Sequence, residues 1–115
     1  MPLLKIQTNT NISTAQKDAL LERGAQLVVD ELNKPLDYVQ VIVEGSQHIA
    51  FAGSIDKAAF VELRSLGLPE GTPAALSAAI AKLLEDVLDI SPKRLFVNFF
   101  DLEHANWGWN GGTFG

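Results

Sequence analysis

The chain of 115 residues carries one pattern twice, strand then helix then strand, and this duplication narrows the choice of fold more than any single residue does. The first copy opens with a short apolar strand from Pro2 to Gln7. A helix follows, opened by Ser13 with Gln16 three residues on, which is the spacing of a capping box. Along it Leu20, Leu21, Gly24, Leu27, Val28 and Leu32 recur at helical period. Asn33-Lys34-Pro35 ends that helix, and the β-branched run from Tyr38 to Glu44 reads as the second strand. After a turn-prone stretch from Gly45 to Lys57 the pattern restarts with a strand from Ala58 to Leu66. Thr72-Pro73 predicts an N-cap with proline in the first helical position, ahead of a helix that buries Leu76, Ala79, Ile80, Leu83, Leu84, Val87 and Leu88. Ser91-Pro92 stops it, and Leu95 to Asp101 is the answering strand.

Two β-α-β units of similar length predict a single α+β domain over residues 1–115. Its four strands form one mixed sheet, with right-handed crossovers and both helices on one face. The other face needs cover as well. Side chains alternate along a strand, yet residues 39–43 and 95–100 are apolar on both sides, as in sheets buried on both faces. Two helices cover only one face. Neighbouring copies of the chain are therefore expected to cover the second, in a closed homo-oligomer with sheets at the centre and helices facing solvent. Association also suits a small domain, whose own core buries a limited share of its surface.

Composition removes several function classes. A net charge of −5 and nine scattered Lys and Arg give no clustered basic surface, so neither nucleic acid nor an anionic membrane is an expected partner. No cysteine is present, which excludes disulfides, thiolate metal sites and a cysteine nucleophile; no metal and no cofactor is expected. The first residues, Lys5 and then polar Gln7 to Thr10, lack the apolar core of a secretory signal. No apolar run approaches the roughly 20 residues of a membrane span. A cytoplasmic location is expected, with secretion independent of a signal peptide as the alternative.

Position 2 then acquires chemical interest. Proline inside a chain has neither a basic nitrogen nor an N–H donor, but removal of Met1 would leave Pro2 with a secondary amine at the start of a strand. Such an amine can remove a proton from one atom and return it to another. Desolvation among apolar side chains and a nearby cation both lower its pKa toward neutrality, where general-base catalysis works best. Lys34 can supply that cation, and can also pair with a substrate carboxylate. On the last strand Phe96, Asn98 and Phe100 share one side. From the residues alone, Asn98 can either bond the backbone of an adjacent strand or face a ligand. Trp107 and Trp109 occupy alternate positions of the tail and can flank one pocket.

Seven short segments in order carry a family resemblance. They are Met1-Pro2, Asn33-Lys34-Pro35 before Tyr38, Ala50-Phe51-Ala52-Gly53, Ser65-Leu66-Gly67, Ile90-Ser91-Pro92, Asn98-Phe99-Phe100-Asp101, and the tail Asn106-Trp107-Gly108-Trp109-Asn110 with Thr113-Phe114. With them the chain resembles, over its whole length, the macrophage migration inhibitory factor family of the tautomerase superfamily. The resemblance implies a homotrimer of the fold just described, and interconversion of keto and enol forms of arylpyruvates and dopachrome-like substrates by the amino-terminal proline. It implies Pro2 as catalytic base and Lys34, Leu66, Phe96, Asn98, Trp107 and Trp109 as substrate-binding residues. Leu66 would contribute its backbone, and Phe96 and Asn98 would come from the neighbouring subunit. The expected ligand is a small aryl keto or enol acid.

The chain also departs from the family pattern. Its best-known members carry a tyrosine where Phe96 stands, so the contact made by that hydroxyl is absent. Their Cys-x-x-Cys motif falls on Ala58 to Val61, which excludes thiol–disulfide chemistry. His48 and His104 are expected to be solvated, with Glu103 to Asn106 a turn. Retention of the scaffold as a cytokine-like binding module, with a vestigial pocket, is the alternative to the enzyme.

Overall fold

The computed structural model describes residues 1–115 and contains both expected repeats. Strand β1 spans Leu3–Thr8, helix α1 Thr14–Leu32 and strand β2 Gln40–Glu44; strand β3 spans Ala59–Ser65, helix α2 Thr72–Leu88 and strand β4 Leu95–Asp101. The sheet order is β2-β1-β3-β4. Within each repeat the strands run parallel, and the repeats meet where β1 pairs antiparallel with β3.

One face of this sheet holds the core. Leu4 and Ile6 of β1, Val61 and Leu63 of β3 and Leu95 of β4 form a single buried cluster with Leu20, Val28 and Leu32 of α1 and Leu76, Ile80, Leu83, Leu84 and Leu88 of α2. Of the residues expected to be buried on α2, Ala79 and Val87 are only half-buried. Gly24 lets α1 approach closely: a β-carbon there would lie 3.2 Å from Leu4 and 3.5 Å from Val41. The capping box is present, with the Gln16 amide donating to the Ser13 hydroxyl and the Ser13 amide donating to the Gln16 side chain. Such a cap satisfies amides that the first turn leaves unpaired.

Four local expectations change. Strand β1 starts at Leu3, because Pro2 has no amide to give the ladder; its carbonyl instead accepts from Gln40 at 3.1 Å. Residues Leu36–Tyr38 form a 3-10 turn in place of the start of β2, with the Tyr38 amide on Pro35 and the Val39 amide on Leu36. At α2 the N-cap is Gly71, with φ of 86°, so Thr72 is the first helical residue and Pro73 the second. Asp89 in the left-handed region ends α2 before Ser91-Pro92 begin another 3-10 turn. The tail adds an unexpected hairpin of β5, Gly108–Trp109, and β6, Gly112–Thr113. Its turn is Asn110-Gly111, both at positive φ, the dipeptide that favours a two-residue hairpin.

The second face of the sheet is open in the single chain. It carries Leu3 and Lys5, Ile42 and Glu44, Phe60, Glu62 and Arg64, and Phe96, Asn98 and Phe100. Phe96 is 64% exposed. The face is thus more mixed than the apolar runs suggested, because Lys5–Glu44 and Arg64–Glu62 pair across it and Arg64 lies 4.4 Å over the Phe100 ring.

The stretch 45–57 lacks regular structure but follows a fixed path. The Asn9 side-chain amide donates to the carbonyls of Ile49, Ile55 and Asp56 and accepts from the Ala58 amide. The Arg94 guanidinium donates to the carbonyls of Phe51, Ser54, Asp56 and Lys57. Arg94→Ala should therefore lower stability by about 1–3 kcal/mol and speed hydrogen exchange at the Phe51 and Ser54 amides, which bond across this loop. Arg94→Lys should not restore protection, since an ammonium cannot span four carbonyls. Unaltered exchange in Arg94→Ala would show that Asn9 alone holds the loop.

Candidate functional site

Pro2 is buried where β1 begins. A cavity of about 360 Å³ opens there, lined by Met1, Pro2, Asp37, Tyr38, Val39, Gln40, Trp107, Gly108, Trp109 and Phe114. The local folding explains each wall. The 3-10 turn after Pro35 brings Tyr38 to the cavity, and the β5–β6 hairpin folds the tail back so that the Phe114 amide bonds the Trp107 carbonyl at 3.2 Å. Trp109 stacks on Phe114 with ring centroids 5.8 Å apart, and Tyr38 meets Trp109 edge-on at 5.6 Å. Two larger hollows of about 470 Å³ lie beside residues 47–60 and include neither Pro2, Lys34 nor a tail tryptophan.

Lys34 and Leu66 join this end of the sheet. Asn33 closes α1 in the left-handed region, and the chain turns there toward Pro35 and the 3-10 turn. From there the Lys34 Nζ donates to the Leu66 carbonyl at 3.1 Å, just beyond the end of β3. Met1 is joined to Pro2 here, so the Pro2 nitrogen is an amide and the Met1 ammonium stands where a free amine meets the local field. Burial holds its pKa below the usual α-amino value, and the Lys34 charge lowers it further. Both influences destabilise the protonated form.

Of the expected site, Pro2, Trp107 and Trp109 line one cavity, while Lys34 and Leu66, bonded to each other, stand beside it where the end of β3 flanks the start of β1. Phe96 and Asn98 stand apart. Phe96 pairs in register with Phe60, which pairs with Gln7, five residues along β1 from Pro2; at the rise of a strand this is roughly 17 Å. Phe96 packs instead on Phe51, at 4.7 Å between centroids. Asn98 is exposed, opposite Glu62 on the open face. His48 and His104 are exposed, and His104–Asn106 form a 3-10 turn. Asp37, Tyr38 and Phe114 line the cavity without having been singled out in the sequence. The only pointer to Tyr38 was its place after Asn33-Lys34-Pro35, and to Phe114 its place in the tail.

Comparison with known proteins gives a consistent result. A sequence profile described as macrophage migration inhibitory factor (MIF) matches residues 1–115. The chain is 37% identical over 115 residues to the macrophage migration inhibitory factor of Meriones unguiculatus, covering 99% of each chain. It is 36% identical over 117 residues to the homolog of Brugia malayi, covering 100% of each. Among solved structures, the homologue from Prochlorococcus marinus has a TM-score of 0.94 at 27% identity, covering 98% of this chain and 99% of that one. Another neighbour, at TM-score 0.86 and 27% identity over 96% of this chain and 93% of its own, was crystallised after inactivation by 2-oxo-3-pentynoate.

The field at the cavity can be measured directly. In protein retaining Met1, Lys34→Ala should raise the pKa of the Met1 amine, because a positive neighbour that disfavoured protonation has gone. The value should still stay below that of an exposed α-amine, since burial is the larger cause. Titration of the ¹⁵N-labelled amine by NMR reads both. An unmoved pKa would mean that the Lys34 charge does not reach this end of β1.

Proposed function

The chain belongs to the macrophage migration inhibitory factor family, and from that premise we propose that it is a cofactor-independent keto–enol tautomerase. Its substrates are phenylpyruvate-like or dopachrome-like acids, and Pro2, freed by removal of Met1, is the general base. One observation carries this reading: the buried Pro2 opens a cavity whose local field already depresses an amine pKa, with Lys34 as one of its two causes. A Pro2 amine would meet the same burial and the same cation. Both influences lower the pKa of such an amine, the direction that favours its neutral, proton-accepting form.

The steps follow from the residues. Lys34 pairs with the substrate carboxylate and fixes the acid against Pro2, while the Tyr38, Trp107, Trp109 and Phe114 rings enclose the organic part. In the enol direction the neutral amine takes a proton from the carbon next to the carbonyl, the electron pair moves to form the enolate, and the resulting ammonium gives that proton to the enolate oxygen. In the keto direction the neutral amine takes the proton of the enol hydroxyl, and the ammonium so formed delivers it to that carbon as the carbonyl re-forms. Positioned acid–base groups of this kind contribute about 10²–10⁴ in rate. The neighbour inactivated by 2-oxo-3-pentynoate supports a pocket suited to 2-oxo acids.

In this reading Phe96 and Asn98 belong to the site through a neighbouring copy. The open sheet face and the distance of both residues from their own Pro2 support a homotrimer with three shared sites. Phe96 brings an aromatic wall without a hydroxyl. That substitution favours one other reading, a cytokine-like binding module whose pocket turns over slowly.

Three protein forms separate the possibilities. Ketonisation of enolphenylpyruvate is expected from protein processed to Pro2. It should fall by about 10²–10⁴ in a Pro2→Ala variant and in a form that keeps Met1. Intact mass verifies each N-terminus. Equal rates in all three would overturn Pro2 as the base, and the absence of activity in the processed protein would favour the binding module.

A further inference from the structure

The mouth of the Pro2 cavity holds a charge that the proposed proton transfer does not use. Asp37 lies in the 3-10 turn Leu36–Tyr38, is exposed, and lines the cavity with Tyr38, Trp109 and Phe114. Its carboxylate has no basic partner: the ion pairs of the chain are Lys5–Glu44, Lys17–Asp18, Arg23–Asp86, Arg64–Glu62 and Lys82–Asp86. Lys34, three residues away in sequence, turns to the Leu66 carbonyl instead. Two of the rings beside Asp37 keep open surface, with Tyr38 38% and Trp109 55% exposed.

An unpaired carboxylate and the faces of aromatic rings attract the same kind of group. The face of an aromatic ring is the negative end of its quadrupole and draws cations, and the carboxylate adds a full charge of the same sign. A substrate with a plain phenyl end would be served by the rings alone, and Asp37 would offer it nothing. Asp37 thus places an anion in the cavity lining, while the Lys34 cation stands beside the cavity on the Leu66 carbonyl, close enough for its charge to act on the Met1 amine.

We propose that the preferred substrate is bipolar: a 2-oxo acid whose far end carries an ammonium or another fixed cation. The carboxylate sits at Lys34 and the cationic end between Asp37 and the faces of Tyr38 and Trp109. This selectivity rests on the tautomerase reading for the fate of the bound acid, but recognition of the cation does not depend on turnover. Charged ends at both poles also fix the direction in which the ligand lies, which keeps its reacting carbon against Pro2.

The test uses a matched pair of ligands, 4-(trimethylammonio)phenylpyruvate and its uncharged isostere 4-tert-butylphenylpyruvate, with protein processed to Pro2. Binding is read from quenching of the Trp107 and Trp109 fluorescence, and turnover separately from enol ketonisation. An exposed ion pair and an exposed cation–π contact are each worth a few-fold, so the wild-type protein should bind the charged ligand about tenfold more tightly. Asp37→Asn should bring the two ligands close to parity, and Asp37→Lys should reverse the preference. Added salt should shrink it in the wild type. Equal binding by the wild-type protein, or a preference that both Asp37 variants retain, would overturn the proposal. A binding preference that follows Asp37 in protein that turns over neither ligand would uphold the cation site and refute the tautomerase reading.

Discussion

The antiparallel pairing of β1 with β3 joins the two halves of the chain, and its register determines nearly everything else. With Leu4 opposite Leu63 and Ile6 opposite Val61, alternate residues of both strands face the helices and build the core. A slip of β1 by one residue against β3 would set Lys5 opposite Val61 or Leu63 on the core face and turn Leu4 and Ile6 outward, since side chains alternate with a period of two. The same register sets the start of β1 beside the end of β3. Pro2 therefore lies near Leu66, and Lys34 bridges the gap by its bond to the Leu66 carbonyl. The site is thus a consequence of how the two repeats meet.

That geometry also explains why one chain holds only part of the expected site. β4 runs parallel to β3, so Phe96 near its start is carried toward the end of β1 that is far from Pro2. A second copy laid against the open face is the natural way to return Phe96 and Asn98 to a Pro2 cavity. The ion pairs on that face suit such contact, because a charge that already has its partner costs less to remove from water than an isolated one. Helices outward and mixed sheets inward is the arrangement the family resemblance implies.

Much of this was legible in the sequence where local chemistry and tertiary structure agree. Ser13 with Gln16 gave the start of α1, and the leucines of α2 gave its buried side. Strand positions followed from β-branched runs. Tyr38 was misplaced because its strand propensity concealed a turn that Pro35 begins, in which the Tyr38 and Val39 amides bond back to the residues before them. Thr72 resembled an N-cap, but Gly71 adopts the positive φ that this junction requires. The tail hairpin carried a clear signal in Asn110-Gly111 that two tryptophans overshadowed. The walls of the cavity were the least legible part. Asp37, Tyr38 and Phe114 converge only once the turn, the sheet and the tail hairpin are all in place, and no spacing in the chain expresses that convergence.

The central claim is that a complete site needs two copies of the chain, and subunit mixing tests it most directly. Pro2→Ala and Asn98→Ala proteins, each inactive alone, are unfolded, combined in equal amounts and refolded, and ketonisation is measured on material of verified trimer mass. A mixed cyclic trimer contains one junction where an intact Pro2 meets an intact Asn98, so random assembly should restore about a quarter of wild-type activity. Mixed trimers that recover nothing, or a wild-type monomer with full activity, would contradict the account.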